Sequence, residues 1–347
     1  MEKNKSEAGC GAAAGCVKDD LHGCAKDTLF SIGEALIDMI PAEKGCEFAE
    51  VTSFMPALGG APANVCAAFT RLGGRSEILT QLGDDPFGRK IAGELVEASV
   101  GTDYISFTDE ANTCLAFVSL AADGNRTFSF YRKPSADLLY KPEQIDGTWF
   151  DRAYALHFCS VSLVPSPMKE AHVKAIAEAT ARGALISFDP NLRFPLWPDR
   201  EALRETVWEF LPKAHVIKIS DEELEFLTGC SDIEEALPRL FVGNVALVLY
   251  TCGADGAKVY TKAARAAVPG RKVEVVDTTG AGDAFAGAFL HCLYEAGITP
   301  AGLAAITPEQ LGQFLAYANT YSAQTVRKKG AIPSYPGREE FEELCQA

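Results

Sequence analysis

The feature that most constrains this chain is a glycine-rich turn running directly into an apolar helix at residues 273–297, VEVVDTTGAGDAFAGAFLHCLYEAG. Residues 273–276 are rich in β-branched side chains and predict the end of a strand. Apolar residues then recur at positions 285, 288, 289, 292 and 293, which is the spacing of an amphipathic helix. Gly297 is a typical helix stop. We therefore expect a strand, a tight turn and a helix in direct succession.

The turn puts Gly280, Ala281 and Gly282 at the start of that helix. Amides in a first helical turn have no intrahelical partner, the helix dipole is positive there, and glycines let an anion approach the backbone closely. Asp283 adds one carboxylate beside this anion site. The arrangement indicates phosphoryl transfer to a hydroxyl group. The alternative is a plain helix start whose first turn carries a favourable acid.

Composition limits the partners and the number of domains. The chain has 347 residues, is 48% hydrophobic and carries a net charge of −15. This length fits one large α/β domain with an accessory piece, or two domains. A strongly acidic chain without a Lys/Arg run is a poor candidate for nucleic acid or an anionic membrane. No stretch approaches eighteen uninterrupted apolar residues, so we expect no membrane span.

The first 26 residues lack periodicity and lack the apolar core of a signal peptide. We interpret residues 1–26 as a flexible extension. The eleven cysteines of the chain show no C-x-x-C spacing, which favours free thiols in a reducing compartment and predicts a cytoplasmic protein. Cys10, Cys16 and Cys24 lie near His22, but their spacing fits no standard zinc pattern.

Beyond residue 27, predicted strands and helices alternate, which indicates a mostly parallel sheet with helices on both faces. One segment breaks the alternation. Residues 113–120 and 127–132 predict a β-hairpin, which we assign to a small accessory sheet. Arg132, at the end of the hairpin, is not easily explained as packing.

Two further segments favour a polar ligand. The first is Asp38, which lies among apolar neighbours. The second is residues 58–65, where glycines and small residues, with Gly60 and Asn64 among them, open a predicted helix and leave room for a small polar ligand. The alternatives are a strand-end aspartate and a plain helix start. Asp189 to Arg193 follow a predicted strand, at the end where α/β sheets bind ligands.

Four common active-site motifs are absent. The chain has no G-x-x-x-x-G-K-[ST] loop, and Phe285 occupies the third glycine position of the dinucleotide fingerprint. It also lacks a G-x-S-x-G nucleophile elbow and an H-E-x-x-H zinc motif. With these four motifs ruled out, the anion site before Asp283 is the remaining candidate for an active site.

The combined motifs resemble the ribokinase-like (PfkB) carbohydrate kinases. DTTGAGD at residues 277–283 resembles one signature of that family, and GGAPAN at residues 59–64 resembles the other. Segments at residues 33–38, 160–163, 188–193 and 218–229 are similar to its fructokinase branch. The resemblance extends from about residue 28 to the C-terminus.

The resemblance implies a Rossmann-like, three-layer α/β/α fold over residues 27–347. A small β-sheet lid would be formed by about residues 41–58 and 108–137. The family transfers the γ-phosphate of ATP to a sugar hydroxyl, so Asp283 would be the general base and Gly280, Ala281 and Gly282 the anion hole. The positions that match sugar-binding residues are Asp38, Gly59, Gly60, Asn64, Arg132 and Arg193. The positions that match nucleotide-binding residues are Lys218, Thr251, Gly253, Gly256 and Asn319.

The resemblance also implies metal ions. The family often carries Asn-x-x-Glu for Mg²⁺; here Ser220 replaces the asparagine and Glu223 is kept, so Glu223 would act on Mg²⁺ through water. Asp277 and Thr279, with the loop at residues 330–334, resemble a monovalent-cation site for K⁺.

We therefore expect an ATP-dependent kinase that converts fructose to fructose 6-phosphate. The alternatives are kinases of the same family that act on 2-keto-3-deoxygluconate, ribose or tagatose. The sugar acid stays open because Arg132 and Arg193 could pair with its carboxylate. A non-catalytic sugar-binding relative is a further alternative, but such a protein has no need of Asp283. An exposed face of the lid sheet would invite pairing with a second copy, which predicts a homodimer.

Overall fold

The computed structural model describes residues 26–43, 45, 48–120 and 126–346. Most of these residues belong to two β-sheets and the helices packed on the larger one. The strands are β1 (Thr28–Ile32), β2 (Leu36–Pro41), β3 (Phe54–Gly59), β4 (Arg75–Gly83), β5 (Ile105–Thr108), β6 (Leu115–Leu120), β7 (Arg126–Tyr131), β8 (Ala153–Cys159), β9 (Leu185–Asp189), β10 (Val216–Ser220), β11 (Leu247–Thr251), β12 (Gly256–Thr261) and β13 (Arg265–Pro269). The helices are α1 (Ala61–Arg71), α2 (Pro86–Glu97), α3 (Pro167–Ala181), α4 (Arg200–Phe210), α5 (Asp221–Thr228), α6 (Ile233–Leu240), α7 (Ala281–Glu295), α8 (Pro308–Thr325) and α9 (Arg338–Gln346).

The main sheet has the order β13-β12-β11-β10-β9-β8-β1-β4-β5. Strands from β11 to β5 pair in parallel, whereas β12 and β13 are antiparallel additions at one edge. One buried apolar cluster joins this sheet to α1, α2, α7 and α8, and a second joins its other face to α3–α6. The predicted α/β/α arrangement is therefore confirmed. Parallel strands surrounded by helices are buried on both faces, which explains their continuous apolar sequences.

The parallel strands end at one edge of the main sheet. β9 ends at Asp189, β10 at Ser220 and β11 at Thr251, and Ser220 and Thr251 are in register. The turn before α7 reaches the same edge, because residues that line it share a cavity with Asp189 and Ser220. Open α/β sheets bind their ligands at this edge.

The second sheet, which we call the small sheet, has the order β3-β2-β6-β7. β6 and β7 form the predicted hairpin, which lies outside the main sheet as expected. Aromatic rings cluster on one face of the small sheet, where Phe117 lies 5.1 Å from Phe54 and 5.0 Å from Tyr131. Phe128 and Phe130, at alternate positions of β7, instead line a cavity between the two sheets. The tip of the hairpin, residues 121–125, lies outside the described residues.

One element predicted from the sequence is wrong. Residues 273–276 belong to no strand, and two of their side chains, Val275 and Val276, are exposed. The amides of Val276 and Asp277 donate to the carbonyl of Val326, at the end of α8, so this segment follows a helix end instead of a sheet edge. β-branched residues favour extended backbone, but a strand also needs a partner.

The predicted absence of a membrane span and the predicted N-terminal extension concern different parts of the chain. No helix in the described ranges has the length and apolar character needed to cross a membrane. The extension predicted for residues 1–26, with its three cysteines and His22, falls almost wholly outside the residues that the structure describes, and residue 26 alone is within them.

Candidate active site

The glycine turn folds into the helix start that its sequence predicts. Gly280 adopts φ +73°, and a Cβ there would lie 2.5 Å from the hydroxyl of Tyr335. α7 then begins at Ala281. Gly282 and Asp283 occupy its second and third positions, where no carbonyl one turn earlier is available to their amides. Tyr335 fixes the turn further by donating to the Gly280 carbonyl at 2.9 Å.

Asp283 is held by a residue from a different helix. The Nδ2 atom of Asn64, in α1, donates to Oδ2 of Asp283 at 2.8 Å. The two helices can approach this closely because Gly287 faces α1: a Cβ on Gly287 would lie 2.6 Å from the Ala68 Cβ and 2.9 Å from the Val65 carbonyl. The glycine in the middle of α7 therefore brings the two predicted site residues together.

Burial makes Asp283 a stronger base than an exposed aspartate. Burial raises its pKa to about 6, and the nearby Asp189 acts in the same direction. The hydrogen bond from Asn64 and the positive charges of Lys218 and Arg193 lower the pKa, but they do not outweigh burial. At neutral pH the carboxylate is ionised and is close in pKa to the working pH, which suits a general base.

Asp283 and Gly280 line two cavities that meet at the start of α7. The first, the small-sheet cavity, lies between the small sheet and the main domain. Its charged side chains are three carboxylates and one cation: Glu34, Asp38, Asp283 and Arg193. The second, the strand-end cavity, lies along the ends of β9 and β10. Its polar lining includes Asp189, Lys218, Ser220, Glu222, Glu223 and Thr278 to Asp283.

A buried lysine is next to the anion site in the strand-end cavity. Lys218, in β10, donates from Nζ to Oδ2 of Asp189 at 2.7 Å. A Cβ on Gly282 would lie 3.5 Å from this Nζ, so the ammonium faces the helix start. Burial alone would lower the pKa of Lys218, but the carboxylates of Asp189 and Glu223 outweigh it and raise the pKa. Lys218 therefore adds a full positive charge to the backbone amides.

Glu223 ties the start of α5 to the loop after β9. Its two carboxylate oxygens accept from the amides of Ser220 and Leu192, both at 2.9 Å. A carboxylate oxygen has two acceptor sites, so each retains one for water. Glu223 also holds in place a loop whose members Asn191 and Arg193 line both cavities.

The small-sheet cavity takes its polar wall from β2 and from the start of α1. Asp38 lies in β2, opposite the end of β3, where a Cβ on Gly59 would lie 2.3 Å from Oδ2 of Asp38. Gly60 adopts φ +106° next to the Glu34 carbonyl, so both glycines are needed for the backbone to pass here. Asn64 completes this wall, and its Oδ1 is buried without a protein partner.

Of the predicted sugar-binding residues, Asp38, Gly60, Asn64 and Arg193 line the small-sheet cavity, whereas Gly59 and Arg132 do not. The side chain of Arg132 is buried and forms an ion pair with Asp137. Its guanidinium also donates to the Val161 carbonyl at 2.6 Å and to the Ser162 hydroxyl at 2.8 Å. It does not line the small-sheet cavity, whereas Arg193 does. The cation that the cavity presents is therefore Arg193, which also lies 5.8 Å from the Phe128 ring.

The residues predicted for the nucleotide fall into two groups. Lys218 lines the strand-end cavity. Thr251, Gly253, Gly256 and Asn319 lie further along the sheet edge, outside that cavity. Thr251 ends β11 and Gly253, with φ +49°, follows it. Asn319 donates from Nδ2 to the carbonyl of Pro269 at 3.0 Å, which joins α8 to β13. Their contacts with a nucleotide stay a prediction.

The residues predicted for cations are close to each other. Asp277 accepts from the amide and hydroxyl of Thr279, at 2.8 and 2.7 Å, and from the Gly330 amide at 3.0 Å. The predicted monovalent-cation residues thus meet the loop at residues 330–334. Among the described residues, no group of three or more His, Cys, Asp or Glu could hold a metal ion by itself. Mg²⁺ does not require such a group, because it is usually held by one or two carboxylates together with waters and phosphates.

Several residues of the two cavities were not predicted. Glu34 lines the small-sheet cavity and Phe128 lines both. Asp189 and Asn191 line the strand-end cavity, at the sheet edge where the sequence predicts a ligand but assigns these two residues no individual role. Asn191 has a positive φ of 45° for a non-glycine residue, which is unusual and is concentrated at functional sites. The position of residues 189–193 after a strand did signal this loop. Nothing local in the sequence distinguishes Glu34 or Phe128 from packing residues.

An anion-binding helix start, an adjacent buried base and two cavities that share them are the parts of an enzyme that phosphorylates an alcohol. Residues 26–338 match the pfkB family carbohydrate kinase domain. The chain therefore belongs to the pfkB family of carbohydrate kinases. The family resemblance inferred from its sequence is confirmed.

The relatives are similar to this chain over almost its whole length. It is 43% identical to a probable fructokinase-4 of Arabidopsis thaliana, covering 92% of this chain and 97% of the relative. A fructokinase of Xylella fastidiosa, solved with bound ATP, is 37% identical with a TM-score of 0.85, covering 92% and 98% of the two chains. A fructokinase of Vibrio cholerae O395, solved with fructose, ADP and calcium ion, is 33% identical with a TM-score of 0.78, covering 92% and 98%.

Proposed function

We propose that this kinase phosphorylates D-fructose with ATP, giving fructose 6-phosphate and ADP. The observation that carries the proposal is the position of Asp283, which lines the small-sheet cavity and the strand-end cavity at once. A sugar hydroxyl in the first cavity and a terminal phosphate in the second would meet at this carboxylate. The fructokinases to which the chain is similar support fructose as the acceptor.

In the proposed reaction the acceptor oxygen forms a bond to the γ-phosphorus as the bond from that phosphorus to the β–γ bridging oxygen breaks. Asp283 takes the proton of the attacking hydroxyl, and ADP leaves with the bridging oxygen. The amides at the start of α7 and the ammonium of Lys218 stabilise the charge on the transferring group. Phosphoryl transfer depends mainly on such positioning and electrostatic stabilisation, because its transition state is loose.

The charges of the small-sheet cavity favour a neutral sugar over a sugar acid. Three carboxylates, Glu34, Asp38 and Asp283, outnumber the one cation, Arg193. A substrate carboxylate would meet net repulsion, whereas hydroxyl groups can donate to these carboxylates and to the unpartnered Oδ1 of Asn64. This supports fructose over 2-keto-3-deoxygluconate. It does not separate fructose from ribose or tagatose.

ADP release with Mg-ATP over a panel of sugars tests the proposed substrate. We expect fructose to give the highest kcat/KM, with 2-keto-3-deoxygluconate the poorest substrate. Turnover of ribose or tagatose equal to that of fructose would contradict the fructose assignment and leave the kinase assignment intact. Arg182→Met, which removes the ion pairs to Asp151 and Glu178 at the end of α3, is a control for the effects of substitution itself.

The residues present fit the ions proposed for the reaction. Glu223 would hold a water of Mg²⁺, because each of its oxygens has acceptor capacity left after the two backbone contacts. When bound, Mg²⁺ supplies charge neutralisation for the ATP phosphates. Asp277, Thr279 and the loop at residues 330–334 would hold K⁺ near the turn. Removal of Mg²⁺ with a chelator should abolish turnover, whereas removal of K⁺ should reduce it.

Three broader proposals come with this function. The small sheet is a lid over the sugar, formed by about residues 41–58 and 108–137, which excludes water that would otherwise hydrolyse ATP. ATP hydrolysis as fast without sugar as with it would count against this gating. The exposed aromatic face of the lid supports a homodimer. The cytoplasmic location remains a prediction from the cysteine pattern.

A further inference from the structure

Arg132 should face the sugar, yet it does not. Side chains at alternate positions of a strand share a face, so Arg132, which directly follows β7, continues the series Phe128, Phe130 that lines the small-sheet cavity. Its guanidinium contacts the carbonyl of Val161, which also lines that cavity. The guanidinium of Arg132 therefore lies directly behind the wall of the small-sheet cavity.

Asp137 accounts for the observed position of Arg132. Its Oδ2 accepts from Nε of Arg132 at 2.9 Å and also from Nη2. With the contacts to Val161 and Ser162, this gives four hydrogen bonds for the five N–H groups of a guanidinium. Ser135 donates to the other oxygen of Asp137 and so fixes the carboxylate. Arg132 and Asp137 are 5% and 1% exposed, so water does not compete for these contacts.

The same network ends at the cavity wall on a carboxylate. The Ser162 hydroxyl contacts Arg132 and also donates to Oε2 of Glu34 at 2.5 Å. Glu34 lines the small-sheet cavity, and its Oε1 accepts from the Ala61 amide at 3.3 Å, at the positive start of α1. Burial raises the pKa of Glu34, whereas Arg132 and the hydrogen bond from Ser162 lower it. The cavity therefore presents a carboxyl group at the place where the network holds a cation behind the wall.

We propose that Asp137 sets the specificity of the sugar site by holding Arg132 out of it. With Arg132 paired to Asp137, the cavity has one cation and three carboxylates and rejects a sugar acid. With Arg132 released, the cavity would have two arginines, and the substrate carboxylate could form the paired hydrogen bonds that guanidinium groups favour. Asp137 and Arg132 are thus positioning residues. The inference rests on the proposed sugar-kinase function and adds the origin of its preference for neutral sugars.

The test compares fructose with 2-keto-3-deoxygluconate in Asp137→Asn and in the double variant Arg132→Met/Asp137→Asn. We expect Asp137→Asn to raise the ratio of kcat/KM for the sugar acid over that for fructose by roughly ten- to hundred-fold, the size expected for hydrogen bonds to a charged group. The gain should disappear in the double variant, because it requires the released Arg132. Arg182→Met should leave the ratio unchanged.

Two results of this comparison would overturn the proposal. One is a folded Asp137→Asn enzyme whose ratio of kcat/KM for the sugar acid over that for fructose stays at the wild-type value. The other is an increase in that ratio that persists in the double variant without Arg132. If Asp137→Asn does not fold, Arg132→Met/Asp137→Leu decides instead, because replacing a buried ion pair by apolar residues is often neutral for stability. Its KM for fructose should stay close to that of the wild type, because Arg132 does not line the small-sheet cavity. A larger rise at unchanged Tm would mean that Arg132 contacts the sugar. Wild-type turnover of fructose tests the proposed function separately, since the inference is read only from the differences between these variants and the wild type.

Discussion

At the scale of single residues, the candidate active site depends on an ordinary aspartate, Asp283, that is largely buried in the wall shared by the two cavities. Asp283 would be a weak base on an exposed helix. Packed under α1, with Asn64 donating to one oxygen, it keeps a single orientation and a raised pKa. Asn64 also lines the small-sheet cavity and its Oδ1 has no partner in the protein, so one side chain orients the proposed base and has an acceptor left for the proposed sugar.

Replacing the base tests its proposed role directly. Asp283→Asn keeps an acceptor for Asn64 but cannot take a proton. We expect kcat to fall by about 10²–10⁴ while fructose binding, measured by calorimetry, remains detectable. Wild-type kcat/KM should decline below pH 6, where Asp283 becomes protonated, and this acid limb should be absent from the residual activity of the variant. Near-normal turnover of Asp283→Asn would exclude Asp283 as the base.

The same substitution should affect stability in a pH-dependent way. The folded pKa of Asp283 lies above its ordinary value, so the folded state keeps a proton that the unfolded chain loses between about pH 4 and pH 6. The native protein therefore loses stability as pH rises through this window. Asp283→Asn should be the more stable protein above pH 6, by on the order of 3 kcal/mol, and similar to wild type near pH 4. Denaturant unfolding at pH 4 and at pH 8 measures the free energy of unfolding of the two proteins. If Asp283→Asn differed from the wild type by the same amount at both pH values, the explanation would be contradicted.

At the scale of elements, the site depends on how closely α1 and α7 pack. Gly287 lies one helical turn after Asp283 in α7 and lines neither cavity. Its missing side chain nevertheless sets the distance between Asn64 and Asp283, because Ala68 and Val65 occupy the space that a Cβ would need.

A single added methyl group tests this packing. Gly287→Ala should push α7 away from α1, lowering stability by about 1–3 kcal/mol and kcat by roughly tenfold or more, since small displacements of a base are costly. Gly93→Ala in α2 is a matched control, because a Cβ there has no neighbour within 4 Å. That variant should be equally active and up to about 1 kcal/mol more stable. Thermal unfolding and ADP release measure the two effects; equal behaviour of the two variants would contradict the packing argument.

Sequence patterns predicted those elements whose signal is local. The start of α7, the hairpin β6–β7 and the polar ends of the parallel strands follow from glycines, turn residues and apolar periodicity. β3, β13 and α6 were not predicted: β3 and β13 are short edge strands, and α6 contains Pro238. The network of Arg132 could not be predicted either, because Val161 and Ser162 are 29 and 30 residues away and no local pattern links them.

At the scale of the whole molecule, the candidate active site lies between the main sheet and the small sheet. Phe48, Phe54, Phe117 and Tyr131 form a chain of ring contacts on the face of the small sheet opposite the cavity. Tyr131 is 63% exposed and Phe48 42% exposed. Rings that pack on each other yet remain open to solvent mark an interaction surface more often than scattered apolar residues do.

Disruption of this surface tests the proposed homodimer. Tyr131→Lys should shift the protein towards a monomer by placing charge in the centre of a self-complementary contact. Val96→Lys, at an exposed apolar position of α2, should leave the mass unchanged. Sedimentation velocity over a range of protein concentrations distinguishes the outcomes. A wild-type protein that is monomeric at all concentrations would refute the dimer without affecting the kinase assignment.

The central position of β1 has a consequence for how the enzyme is made. β1 is among the first elements translated, yet its two neighbours in the sheet, β4 and β8, begin at residues 75 and 153. At about 5–20 residues per second, a ribosome needs roughly 13–50 s to pass from β1 to Asp283. Through much of that time an apolar strand destined for the interior has an unpaired side. The growing chain is therefore exposed to aggregation, and chaperones that bind it during synthesis should raise the yield of active enzyme.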